Sequence, residues 1–359
     1  MAKSSNQRSS SPRPPSLVAA VEVGGARLRA GLIDEQARLL VRGESDLASR
    51  SSLATAAAIT RLILELAAAP ERGPGRIKAI GLSVAGGVDP QSGRVTLPDL
   101  KNWYRVALGP LIERELTATG LDIRRPPGEH RARAESAPSA HPVIGLYARA
   151  ACLAAGEVWS GAARGKRHVV YLDVGHGIEA GIIVEGRVLA GADGFAGAAG
   201  WLAPGESFKS EFVGRGGLSA EASAPGLLRR AIESWSRGSD DFLNRLIATD
   251  AAALTPELII RAARGGDPHA LRLVHETCRF LGRGMADLIA MLNPEAIVLG
   301  GDLGLALKPF LEAARREAET WAPPPAARRC RIVSARLGAK AGLLGAARLA
   351  FLSLAASRT

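Results

Sequence analysis

Two hydrophobic periods alternate along the chain. SLVAAVEVGG (16–25) and ARLRAGLID (26–34) are short Val-, Leu- and Ala-rich runs that meet at Gly24-Gly25, which reads as two strands of a hairpin. A helical pattern follows over about 51–69 and stops before Pro70. IKAIGLSVAGGVDP (77–90) is an apolar strand running into a glycine turn, and GPLIERELTATG (109–120) is an amphipathic helix with a terminal Gly. YARAACLAAGEVWSGA (147–162) reads as a further helix. HVVYLDVGHGIEAGIIVEGRVL (168–189) then repeats the order strand, glycine turn, strand. LRLVHETCRFLGRGMADLIAML (271–292) is a long helix, EAIVLGGDLG (295–304) a strand opening into glycines, and RIVSARLGAKAGLLGAARLAFL (331–352) closes with strand, turn and helix. Two halves built on one plan predict a duplicated α/β architecture with a cleft between them. Glycine turns aimed into such a cleft can offer backbone N–H groups to phosphates.

Composition narrows the class. Hydrophobic residues make up 47% of the 359, with aromatics only 4%, so the core is aliphatic and the chain is neither disordered nor a disulfide framework. Cys152, Cys278 and Cys330 lie far apart without a CxxC pair, a usage that fits a reducing compartment. The absence of a run of about 18 apolar residues and of a signal-like N-terminus predicts a cytoplasmic protein without membrane contact. The formal charge of +11 raises the question of nucleic acid. Part of that charge lies in a tail at 1–16 (Lys3, Arg8, Arg13 and no acid) and in an insert at 124–141, where four Arg stand against Glu129 and Glu135. Both stretches are rich in Pro, Ser or Ala and read as unstructured. RNP, C₂H₂ and aromatic stacking patterns are missing, so no specific nucleic-acid partner is expected.

Several segments in fixed order resemble the ROK family of bacterial sugar kinases, repressors and open reading frames. They are EVGGARLRAGLID (22–34), GLSVAGGVDPQSG (81–93), LPDLKNW (97–103), AGEVWSGAARG (155–165), VYLDVGHGIEAGIIVEGRVLAGADGFAGAAG (170–200), NPEAIVLGGDLG (293–304) and LGAKAGLLGAARLA (337–350). The resemblance covers about residues 17–350. It implies the two-domain sugar kinase and actin-like ATPase fold, α/β in class, with nucleotide and sugar meeting in the interdomain cleft. The expected divisions are a basic tail (1–16), an N-terminal α/β domain (17–144), a C-terminal α/β domain (145–342) and a terminal helix (343–359) packing back on the N-terminal domain.

Carried onto this chain, the family's phosphate loops place nucleotide contacts at Glu22, Gly24, Gly25, Arg27, Gly175, His176, Gly177, Gly300 and Gly301. Its sugar contacts fall at Gly86, at Asp99 or Asn102, and at Arg149. The E-N-D-x-N segment, whose Asp deprotonates the sugar hydroxyl in active members, falls on Tyr147–Ala151 and puts Arg149 where the base should be. Guanidinium stays protonated and cannot accept that proton, and HPVIGLYARAACLAAG contains no carboxylate at any register. In the first phosphate loop D-x-G-G-T becomes Glu22-Val23-Gly24-Gly25-Ala26, and in the second Glu179 replaces the final Gly of G-T-G-I-G. The sugar-gripping G-E-I-G-H is Gly197-Ala198-Ala199-Gly200-Trp201. The zinc motif C-x-C-G-x-x-G-C falls on Glu211–Leu218 without a cysteine, so no metal is expected, and Trp201 and Phe212 are expected to fill its space.

Three readings follow. One is a catalytically impaired member binding a sugar or an anionic sugar derivative, with an acid such as Asp99 or Glu179 as the alternative partner of Arg149. The second is an active sugar kinase using Mg-ATP and a substitute base, Glu22 or Glu179. The third is a regulator without its DNA-binding domain, because only the short tail precedes the first strand. A homodimer is expected from the resemblance alone.

Overall fold

A computed structural model describes residues 15–24, 27–47, 51–89, 92–97, 102–119, 142–205, 207–235 and 241–356. The 124–141 insert and most of the basic tail therefore lie outside the described residues. Ser16 belongs not to a tail but to the first strand, where it pairs with Arg76.

The first half builds a five-stranded sheet from β1 (Ser16–Gly24), β2 (Arg27–Asp34), β3 (Leu39–Asp46), β4 (Arg76–Val84) and β7 (Val143–Ala148), in the order β3-β2-β1-β4-β7. The two-residue strands β5 (Gly87–Val88) and β6 (Val95–Thr96) form a separate ribbon. β1 and β2 are antiparallel, as the glycine turn dictates, whereas β4 and β7 run parallel to β1. The second half repeats this plan in β8 (Val169–Val174), β9 (Ile178–Val184), β10 (Arg187–Val188), β11 (Ala296–Gly300) and β12 (Arg331–Ser334), ordered β10-β9-β8-β11-β12. In each sheet the first two strands form the hairpin and the last two arrive in parallel.

Helices α1 (Ser52–Ala68) and α2 (Leu108–Ala118) cover one face of the first sheet and bury Ile59, Ile63, Ile112 and Leu116. The helix read over 147–162 starts later than the pattern suggested. Tyr147 and Ala148 continue β7, and α3 spans Arg149–Ser160. The first sheet thus runs past the expected domain boundary at residue 144. Beyond the second sheet lie α4 (Gly217–Ala222), α5 (Ala224–Glu233), α6 (Phe242–Asp250), α7 (Pro256–Arg264), the 25-residue α8 (Pro268–Leu292), α9 (Asp302–Ala306), α10 (Leu311–Trp321) and α11 (Pro324–Arg329). Their apolar faces form the largest core cluster around Leu273, Leu281, Met285 and Ile289.

The last helix, α12 (Ala341–Ala356), lies against β1, β4 and α3. Together with the turn before it, the stretch Gly338–Ala356 passes for a membrane span by length and mean hydropathy, but half of it is buried in the fold as core. The crossing of α3 and α12 is tight. A Cβ on Gly345 would overlap the Cys152 carbonyl, and one on Gly156 would come within 2.5 Å of the Ala341 oxygen. Only residues without a side chain allow the two backbones to approach so closely.

Candidate functional site

The parallel strands of each sheet end on the same side, and the charged groups sit on the strands and helix that meet at those ends. Ligands in α/β folds bind at such carboxyl ends. Arg149 is the first residue of α3, immediately after β7 ends. A cation there faces the positive end of the helix dipole and needs acids to hold it. Its guanidinium donates to Asp173 Oδ2 at 2.5 Å, and Glu179 Oε2 lies 3.9 Å away.

The acids are paired by register. Asp173 on β8 stands directly opposite Glu179 on β9, so the two carboxylates share one face of the ladder. Like charges in that position repel, and Arg149 offsets the repulsion by binding one and approaching the other. Burial opposes the Arg149 charge, but Asp173, Glu179 and Glu22 outweigh it and hold its pKa above the ordinary value. Arg149, expected from the resemblance to stand at the base position, is therefore a permanent cation already engaged with protein carboxylates.

Glu22, near the end of β1, is paired in register with Arg29, whose guanidinium lies 3.9 Å from it. Burial pushes the Glu22 carboxyl up from its ordinary value, against the pull of Arg149 and Arg29. A Cβ on Gly342 would meet the Glu22 carboxylate at 3.0 Å, so the start of α12 packs against this acid.

The other predicted positions divide. Gly24, Gly175 and Gly177 have no heavy atom within 4 Å of where a Cβ would sit, although the Gly175 amide already donates to the Gly177 carbonyl at 3.0 Å. His176 is exposed between the last two. Gly300 packs on the Tyr171 hydroxyl, and Gly301, at φ 79°, packs on the Val174 carbonyl beside Asp173. Arg27 is tied outside the cluster, 2.9 Å from Asp46 and 3.7 Å from Glu44 on β3. Gly86 adopts φ 144° against the Thr96 carbonyl, and Asn102 is exposed. Gly25 and Asp99 lie outside the described residues. Asp173 was absent from the sequence reading of the site. Its signal was an acid inside the apolar strand VVYLDV, just before a glycine turn.

The lobe corresponding to the zinc motif is held differently. Phe212 is buried and meets Phe208 edge-on at 5.7 Å. Trp201, expected to fill the same space, instead points outward with 62% exposure. Leu218 is in the core, and Lys209 donates to the buried Glu221 at 2.6 Å, with Arg229 at 2.9 Å from the same carboxylate. Among the described residues no group of three His, Cys, Asp or Glu side chains is placed to hold a metal.

Comparison with known proteins bears on the family and the fold. The ROK family model matches residues 142–352. The glucokinase of Thermotoga maritima is 27% identical over 330 residues, 91% of this chain and 95% of its own length. The crystal structure of a ROK hexokinase from Thermus thermophilus matches with a TM-score of 0.72 at 27% identity, over 95% of this chain and 99% of that one. A ROK glucokinase from Streptomyces griseus, solved with glucose and AMPPNP, has the same fold, with a TM-score of 0.67 at 24% identity over 94% of this chain and 100% of that one. The chain has the two-sheet actin-like ATPase fold of sugar kinases, and with more than half of its length matched it belongs to the ROK family.

Proposed function

We infer that this protein is a sugar-kinase-like member of the family that binds a neutral sugar or polyol in the cleft and has lost efficient phosphoryl transfer. The observation that carries this reading is the Arg149–Asp173 pair at 2.5 Å, at the position where the family resemblance implies the base. Phosphoryl transfer depends chiefly on positioning and charge, but the attacking hydroxyl still needs an acceptor for its proton. Arg149 cannot serve. Glu179 is drawn toward the same guanidinium, and Glu22 is buried against Gly342.

An anionic ligand is disfavoured on the same ground. The Arg149 fork already faces Asp173, Glu179 and Glu22, so the cleft has no spare positive charge at this point. The uncrowded glycines Gly24, Gly175 and Gly177 leave room for a phosphate chain beside them, and a bound nucleotide would supply a transferable phosphoryl group there. The S. griseus relative is described with glucose and AMPPNP, which supports keeping a hexose and a nucleotide in the test.

Two measurements on the intact protein test the reading. A thermal-shift panel of hexoses, N-acetylhexosamines, sugar phosphates and sugar acids is expected to show stabilisation by neutral members. A coupled ADP-release assay over the same sugars is expected to stay at background. Turnover above background would replace this reading with that of a kinase using a substitute base, and silence across the whole thermal panel would remove sugar binding.

A further inference from the structure

Beside the charged cluster, the edge strand β7, helix α3 and the β9–β10 hairpin enclose a cavity of about 260 Å³. Its walls include Val88, Leu146, Ala151, Ile182, Leu189 and Ala196. Ala148 and Ala150, the chain neighbours of Arg149, line it as well. None of the described residues that line it carries a charge. Tyr147 contributes a hydroxyl-bearing side chain, but that hydroxyl is bonded to Ser353 Oγ at 3.0 Å. The loop carrying Gly194 bounds it from the second half, seated directly on the Val88 carbonyl.

This lining selects the ligand class. A sugar hydroxyl entering the cavity would give up water and find no side-chain partner, which is unfavourable. A hydrocarbon group there exchanges water for Val, Leu, Ile and Ala side chains. An apolar cavity of roughly 150 Å³ suffices for a six-carbon ring, so this one, at about 260 Å³, has room for at least six carbons. Val88 follows Gly86 and Gly87, and Arg149 lies between two lining residues, so the cavity opens beside the cleft positions assigned to the sugar.

We propose that the cavity receives a short hydrocarbon substituent carried on the sugar or polyol bound in the cleft, so that the ligand is an alkylated or acylated sugar. This inference rests on the sugar-binding reading above and adds the chemical class of the substituent.

Titration calorimetry of the full chain with n-alkyl β-D-glucosides from methyl to octyl, below their micellar concentrations, tests it, with hexan-1-ol as a separate probe. Affinity is expected to rise about threefold to fourfold per added methylene through at least hexyl, and to level off once the cavity is full. Ala190→Phe and Ala151→Phe each fill the cavity from a different wall. The loop position 190 provides a variant whose folding does not depend on packing within α3. Loss of the chain-length gradient in a filled variant that retains a cooperative melt is the expected result. A gradient absent from the parent, with methyl glucoside still bound, would overturn the proposal and leave sugar binding intact. A gradient that survives in both filled variants would also overturn it, since the chain would then sit elsewhere. Hexan-1-ol bound by the parent but not by Ala190→Phe, with no glucoside bound at all, would keep the hydrocarbon cavity and reject the sugar head group. Binding of neither probe would reject both.

Discussion

Asp173 and Glu179 face each other across the β8–β9 ladder as a directly opposed carboxylate pair, and the Arg149 guanidinium is what makes that pairing tolerable. The consequence is measurable. Arg149→Ala leaves Asp173, only 8% exposed at its side chain, beside Glu179 and Glu22 without a counter-charge. Its own side chain is about a third exposed, which moderates the cost, so a loss of about 2 kcal/mol is expected in denaturant unfolding. Asp173→Asn placed on the Arg149→Ala background should recover more than half of that loss. Strict additivity in the double-mutant cycle would show that the two residues are not coupled.

Glu22 gives a pH signature. Burial raises its folded pKa above the ordinary carboxylate value, so the native state holds a proton that the unfolded state has already released. Within the window between those two values stability falls as pH rises, and the contribution is fully present only below the unfolded pKa. Glu22→Gln cannot titrate. The melting-temperature difference, Glu22→Gln minus the parent, should therefore grow more positive as pH climbs through the acid range toward neutrality. Scanning calorimetry at several pH values checks this, and a difference that stays constant would show that burial does not raise the Glu22 pKa.

Glu157 is a buried carboxylate with a structural task. One oxygen accepts from the Ala162 amide at 2.6 Å, and the other accepts from the Arg336 and Leu337 amides at 2.9 Å each. It thereby fixes the end of α3 to the segment between β12 and α12. Glu157→Ala would strand three backbone donors and should cost about 3 kcal/mol or more by chemical denaturation. Glu157→Gln keeps one acceptor oxygen and should lose less. Equal losses for the two variants would mean that side-chain volume, not hydrogen bonding, is what matters at this position.

The lobe around Phe212 should stand without metal, because the Phe208–Phe212 contact and the Lys209–Glu221 pair tie it together with protein groups alone. Phe212→Ala should cost about 3 kcal/mol through the cavity it leaves. Chelator treatment of the parent should not shift its melting temperature. Stoichiometric zinc in chelator-washed protein, accompanied by such a shift, would contradict this account.

Much was legible in the residues themselves. The glycine turns between short apolar runs disclosed both hairpins, and the helical periodicity disclosed α1, α2 and α8. β3 escaped because LLVRGESD, on the sheet edge, buries none of its residues fully and so carries no strong apolar signal. Helix α3 was placed early because alanine and tyrosine suit the end of a strand as readily as the start of a helix, and pairing of Tyr147 with Ser83 decided it.

The sequence by itself determined the duplicated plan, and it determined that residues 141–156, where the resemblance implies the base, contain no carboxylate, since both are read from local order and residue chemistry. Tertiary structure alone decided that Asp173 is the partner of Arg149, that Glu157 ties helix ends together and that an apolar cavity opens beside the cleft. Those relationships join residues far apart in the chain, where strand register and backbone packing, rather than local periodicity, bring the groups within reach.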